Sequence, residues 1–209
     1  MYKPTVLAFA GPNGSGKSTV TKNLAIYGEY VNADDLKKNH GLTDIEAAQK
    51  AEALRNGLLE KKVDFTFETV MSTERNLLLL QKARRNGYRV LCVYVLTHKA
   101  DINVARVKAR VRAGGHNVPE DKIRSRYRKA LELLPQLIDV CDEIIIYDNS
   151  EKPVPIFQKE KDSFSGMGVI SPTKNWPVEK LEELLKCEYC NRKTGTRLSG
   201  RYKTKGVEQ

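Results

Sequence analysis

Gly11-Pro12-Asn13-Gly14-Ser15-Gly16-Lys17-Ser18-Thr19 meets every fixed position of the pattern G-x-x-x-x-G-K-[ST]. Its glycines let the backbone turn successive N–H groups inward, which makes an anion nest at the N-terminus of a helix. All nine residues are therefore candidates for holding nucleotide phosphates. The spacing predicts that Lys17 reaches the β- and γ-phosphates and that the Ser18 hydroxyl ligates Mg²⁺. ATP and Mg²⁺ are the cofactors this loop calls for.

The flanks give the loop its context. Thr5 to Ala10 (TVLAFA) is an apolar run suited to a strand buried on both faces, and Ser18 to Ile26 reads as helical. A brief strand is predicted at Glu29 to Asn32. An amphipathic helix follows from Asp44 to Lys62, where Ile45, Ala48, Ala51, Leu54 and Leu58 recur at helical spacing. Val63 to Thr69 alternates as a strand does, and Ser72 to Asn86 is a leucine-rich helix closed by Gly87. Arg89 to Leu96 (RVLCVYVL) is the strongest strand, and Glu143 to Tyr147 (EIIIY) is the last. Between these two lie a basic helix from Asn103 to Arg112, a glycine-containing loop, and a helix opened by Pro119 that runs to Leu134 before Pro135. Five short strands alternating with helices predict an α/β fold, a doubly wound parallel five-stranded sheet of the P-loop nucleotide-kinase type. The expected division is a core over 1–150, a small C-terminal extension over 151–186 packed on it, and a basic, poorly ordered tail over 187–209.

In a doubly wound sheet the carboxyl ends of the strands face the ligand crevice. Val31-Asn32-Ala33-Asp34-Asp35 puts two acids just past the second strand, where a carboxylate can take the proton of an attacking hydroxyl. One of the pair is equally suited to cap the helix that starts at Leu36, and Asp35 is the residue assigned that role. Glu68 ends the third strand in the same way, and with Asp35 and Thr69 it is a candidate for holding the acceptor. Arg106, Arg110, Arg112, Arg124, Arg126 and Arg128 surround Gly114-Gly115-His116. A basic segment with paired glycines suits a lid that neutralises the charge of a transferring phosphoryl group. Arg110 is the first choice, followed by Arg106 and Arg126; a solvated helix face accounts for about half of the set.

The bulk properties set bounds. The 209 residues, 40% hydrophobic and 30% charged, suffice for one α/β domain, and no run approaches the ~18 apolar residues of a membrane span. The expectation is a cytoplasmic protein without membrane contact. The net charge is +10, and half of that excess lies in 186–209, where seven Lys/Arg face two Glu. A solvated terminus is favoured there over nucleic-acid binding. Cys92 and Cys141 sit in apolar surroundings, as small buried hydrophobes do. Cys187-x-x-Cys190 lacks the second pair of ligands that a zinc ribbon needs. Asp142-Glu143 precedes its strand instead of ending it, unlike the acidic strand end of a motor ATPase.

GPNGSGKST (11–19), VNADD (31–35), FETVMS (67–72), RVRAGGHNVPEDKIRSRY (110–127) and IYDNS (146–150) together resemble the zeta-toxin family of P-loop kinases, in its short subgroup labelled predicted ABC-type ATPases. The resemblance is close over 1–150 and looser to 186. It implies a kinase that phosphorylates a sugar hydroxyl of UDP-N-acetylglucosamine, and it admits an antitoxin protein as partner. Carried over, Asp34 corresponds to the general base, Glu68 to a substrate-binding glutamate and Lys17 to the phosphate lysine. Arg110 and Arg126 correspond to the two arginines on the ATP phosphates. The shorter, glycine-rich lid departs from the family pattern and leaves the acceptor open. Two other readings share the same motifs: a kinase for a nucleoside, antibiotic or polynucleotide hydroxyl, and a nucleotide-binding switch that transfers nothing.

Overall fold

The computed structural model describes residues 2–160 and 168–185, together with the backbone of 202–204. Five strands form the parallel part of the sheet: β1 (Thr5–Ala10), β2 (Glu29–Val31), β3 (Phe65–Thr69), β4 (Arg89–Leu96) and β5 (Glu143–Asp148). They lie in the order β2-β3-β1-β4-β5. The chain crosses sides next to β1, so the order reverses there and a crevice opens beyond the strand ends.

The sheet continues past the five strands that the sequence predicts. β6 (Val154–Lys159) and β7 (Gly168–Ile170) add antiparallel neighbours beside β5, and β8 (Tyr202–Thr204) runs parallel to β7. The segment after residue 150 thus extends the sheet edge, because Ile156 and Phe157 have side chains apolar enough to join the core. The rest of the predicted tail, with Cys187 and Cys190, lies outside the described residues.

Eight helices accompany the described strands: α1 (Lys17–Thr21), α2 (Ala33–His40), α3 (Asp44–Glu60), α4 (Glu74–Arg85), α5 (Ala100–Arg112), α6 (Glu120–Glu132), α7 (Leu134–Val140) and α8 (Val178–Leu185). α1 is shorter than the sequence suggests. Pro135 does more than break a helix, since it occupies the first turn of α7, where its missing N–H costs nothing. Alternation along β1 feeds two cores. Val6, Ala8 and Ala10 join the larger one under α4, α7 and α8, while Leu7 and Phe9 join a thinner layer with Val20 and Tyr27. Cys92 and Cys141 are both buried and free, and burial pushes the Cys92 thiol up. Among the described residues no helix is long and apolar enough to cross a membrane.

α5 ends in a way that bears on the lid. Gly114 takes φ 83 and donates to the Val111 carbonyl, while Gly115 donates to that of Arg110, both at 2.9 Å. These two bonds are a Schellman motif, which needs a left-handed residue just past the helix. The glycine pair of the predicted lid thus also ends α5.

Candidate active site

The loop after β1 is wrapped by side chains from several elements. Gly16 has φ 85 and caps α1, and a Cβ there would strike the Asn149 side chain. That side chain donates to the Ser15 carbonyl at 2.8 Å. Asn103 on α5 donates to the Asn13 carbonyl at 2.7 Å while its own oxygen accepts from Thr97. Arg106 reaches the Ser15 and Ser150 carbonyls at 3.4 and 3.1 Å, and Arg126 reaches the Asn13 Oδ1 at 3.2 Å. Asn103 is fully buried and Asn149 nearly so. Asn103 is one of several polar residues of α5, and nothing in the sequence separates its role from theirs. Asn149 lies in the quoted IYDNS, directly after a strand, where its position was visible and its role was not.

Lys17 is buried and donates from Nζ to the Gly11 carbonyl at 2.9 Å. Burial lowers its pKa most, Glu68 and Asp34 push it back up, and Arg110 lowers it further. The Glu68 Oε1 lies 3.7 Å from Nζ. Lys17 and Glu68 thus face each other at the mouth of the loop, and the charges of Asp34 and Arg110 act on the same ammonium.

On the other side of Glu68, Tyr30 donates to its Oε2 at 3.2 Å and Asn32 does so at 3.5 Å. Burial, with Glu68 beside it, pushes the Tyr30 hydroxyl up to about 12, so it remains a donor at neutral pH. The cap of α2 differs from the expectation. Asn32 is the N-cap and accepts from the Asp34 N–H at 2.9 Å. Asp34 and Asp35 both lie in the first turn and are exposed, where their charge suits the helix dipole. Asp35 is therefore not the cap. Thr69 is buried, and its hydroxyl oxygen accepts from the Met71 N–H at 3.0 Å and from Asn76 at 2.7 Å. It holds the turn after β3, and its carbonyl accepts from the Gly11 N–H at 3.2 Å.

The arginines separate into three kinds. Arg106 and Arg126 are tied to the phosphate loop. Arg110 is exposed and donates to the His116 carbonyl of its own loop at 2.9 Å. Arg124 bridges Asp101 and Glu120 between α5 and α6, and Arg128 faces Glu132.

The loop fits a nucleotide triphosphate on its own geometry. Lys17 has three N–H donors and spends one within bonding distance on Gly11. The buried Ser15 hydroxyl has no partner, and the Ser18 hydroxyl stands exposed on the first turn of α1, open to a cation.

A family model described as Zeta toxin matches residues 2–161. An uncharacterized protein of Haemophilus influenzae is 32% identical over 125 residues, which is 57% of this chain and 89% of that protein. A cytidylate kinase of Sulfurisphaera tokodaii is 35% identical over 82 residues, covering 35% of this chain and 43% of the enzyme. Solved structures with the same fold include the following two. The AvrRxo1-ORF1:AvrRxo1-ORF2 complex with sulphate superposes at a TM-score of 0.65 and 14% identity, over 88% of this chain and 64% of that one. The PezAT toxin–antitoxin system of Streptococcus pneumoniae superposes at 0.55 and 18%, over 74% and 72%. This chain thus spans under two thirds of the AvrRxo1 chain and less than half of the cytidylate kinase. The full phosphate-loop motif, the parallel sheet that carries it and the match over most of the chain lead to one conclusion: the chain belongs to the zeta toxin family of P-loop phosphotransferases.

Proposed function

We propose that the protein is an ATP-dependent kinase that transfers the γ-phosphate to a hydroxyl of a small molecule, with UDP-N-acetylglucosamine as the leading acceptor. The observation that carries this reading is the placement of Lys17 between the nest and two carboxylates, Glu68 at 3.7 Å and Asp34 within electrostatic reach. A nucleotide sensor has no use for a base opposite the γ-phosphate; a kinase does.

In this reading the nest from Gly11 to Thr19 holds the phosphates, and Lys17 stabilises charge on the β- and γ-oxygens. Asp34 takes the proton as the acceptor oxygen bonds to the γ-phosphorus and the bond to ADP breaks. Glu68, held by Tyr30 and Asn32, positions the acceptor hydroxyls together with Asp35 on the first turn of α2, and Thr69 fixes the turn after β3. Arg110 and Arg126 meet the equatorial oxygens. Mg²⁺, held through Ser18, neutralises phosphate charge when bound. The PezAT toxin–antitoxin system, which shares the fold, supports an antitoxin protein as partner, and the cytoplasm is the proposed compartment.

The 82-residue similarity to a cytidylate kinase favours one second acceptor class, nucleosides and nucleotides. The test is incubation with ATP, Mg²⁺ and separate acceptors, UDP-N-acetylglucosamine and cytidine among them, followed by ³¹P NMR. The expected result is a new phosphomonoester on one acceptor in step with ADP. ATP bound without any transfer across the panel contradicts the kinase reading and supports the switch.

A further inference from the structure

α3 and α4 leave a cavity of about 240 Å³ between them, apart from the phosphate loop and the two acids of α2. Arg55, Arg75 and Lys82 line it against one acid, Glu52, with Asn76 and Leu78 completing the wall. Glu52 lies 3.6 Å from Arg75. Neither Arg55 nor Lys82 has an ion-pair partner within bonding distance among the described residues.

Arg55 is the anomaly. It is 7% exposed, and its Nε is buried without a hydrogen-bond partner. Its guanidinium carbon sits 5.2 Å from the centre of the Phe67 ring. An aromatic face attracts the cation but satisfies none of its five N–H groups in the plane. Buried donors in native proteins are nearly always satisfied, so a buried arginine on a cavity wall with an orphaned Nε and no ion-pair partner calls for an acceptor from outside the chain.

We propose that this groove is a second anion-binding site, which takes a compact oxyanion bearing an apolar group on Arg55, Arg75 and Lys82. The planar fork of Arg55 matches a phosphate monoester or a carboxylate. Pockets for drug-sized ligands measure roughly 300–1,000 Å³, so 240 Å³ suits a fragment. Leu78, 54% exposed, gives the apolar group a surface. The groove backs onto the catalytic strand end, since Phe67 precedes Glu68 and Asn76 donates to Thr69.

The test uses the full chain saturated with ADP and Mg²⁺, so that the phosphate loop is filled. Phenyl phosphate, inorganic phosphate and benzoate are titrated by calorimetry at constant ionic strength. The expected result is saturable one-to-one binding of phenyl phosphate or benzoate, with inorganic phosphate weaker. Which of the two binds assigns the phosphate or the carboxylate class. Arg75→Ala/Lys82→Ala changes only exposed side chains and should weaken that binding at least about tenfold, leaving ADP affinity unchanged. Arg55→Met should abolish it. No saturable binding of either organic anion, or binding undiminished in the double variant, overturns the proposal. Neither result depends on phosphoryl transfer, so failure here leaves the kinase reading standing.

Discussion

Around the phosphate loop, Asn103 and Arg106 of α5 and Asn149 after β5 grip the backbone of Asn13 and Ser15, and Arg126 of α6 reaches the Asn13 side chain. At the ends of β2 and β3 the side is open. Asp34 and Asp35 are exposed, and Glu68 is held by Tyr30, Asn32 and the Lys17 ammonium. The donor side is built into the fold, and the acceptor side is a few side chains on strand ends and one helix turn. Substitutions on the two sides should therefore fail differently, with loss of fold and nucleotide binding on the first and loss of transfer on the second.

The largest effect across the two sides is expected at Lys17, which touches both. Lys17→Ala removes the buried ammonium, and transfer should fall about 10²–10³-fold, as for other preorganised charge stabilisers. Transfer at the wild-type rate would remove the basis of the phosphate-loop assignment. Burial lowers the Lys17 pKa, and a bound triphosphate raises it again. ATP binding should therefore take up protons at pH values between the bound and free pKa. Calorimetry in buffers of different ionisation enthalpy measures that uptake, and its absence in Lys17→Ala is the matching control.

Gly16→Ala comes next. A methyl at φ 85 meets the Asn149 side chain, and overpacking of this kind costs about 1–3 kcal/mol. Nucleotide affinity should drop about 10–100-fold, read by equilibrium dialysis. An unchanged affinity would mean that the donor side is more pliant than its contacts imply.

On the acceptor side the expected costs are smaller. Asn32→Ala loses the α2 cap, about 1 kcal/mol, together with a contact to Glu68. For a chain of this size that is a fall in Tm of about 2–4 °C. Asp35→Asn gives up only a charge in the first turn, about 0.3–1 kcal/mol, so its Tm should fall less than that of Asn32→Ala. The reverse order would return the cap to Asp35.

That cap shows where sequence reading stops. Asn32, Asp34 and Asp35 are all capping types within four positions, and only the extended backbone of Asn32, φ −126 and ψ 123, decides among them. The strand β4 and the phosphate loop were legible because each is fixed by local pattern, one by a buried apolar run and the other by sterics that admit few residues. The grip of Asn103 and Asn149 was not legible, because it joins positions 90 and 134 residues apart. The arginines divide along the same line. Charge and spacing picked out the basic segment, but which guanidinium reaches the loop depends on how α5 and α6 cross it. The Gly114-Gly115 pair reads as part of a lid by composition, and only its two bonds to Val111 and Arg110 show that it also closes α5.

The measurement that tests the central claim most directly compares Asp34→Asn with the wild type at saturating ATP and acceptor. Asparagine keeps the size of the side chain and cannot accept the proton. The account predicts a fall in kcat of about 10²–10⁴-fold, with ATP affinity nearly unchanged, because the donor side holds the nucleotide without Asp34, and a Tm lowered no more than by Asp35→Asn. Wild-type transfer by Asp34→Asn, or a loss that falls on ATP binding, would contradict it.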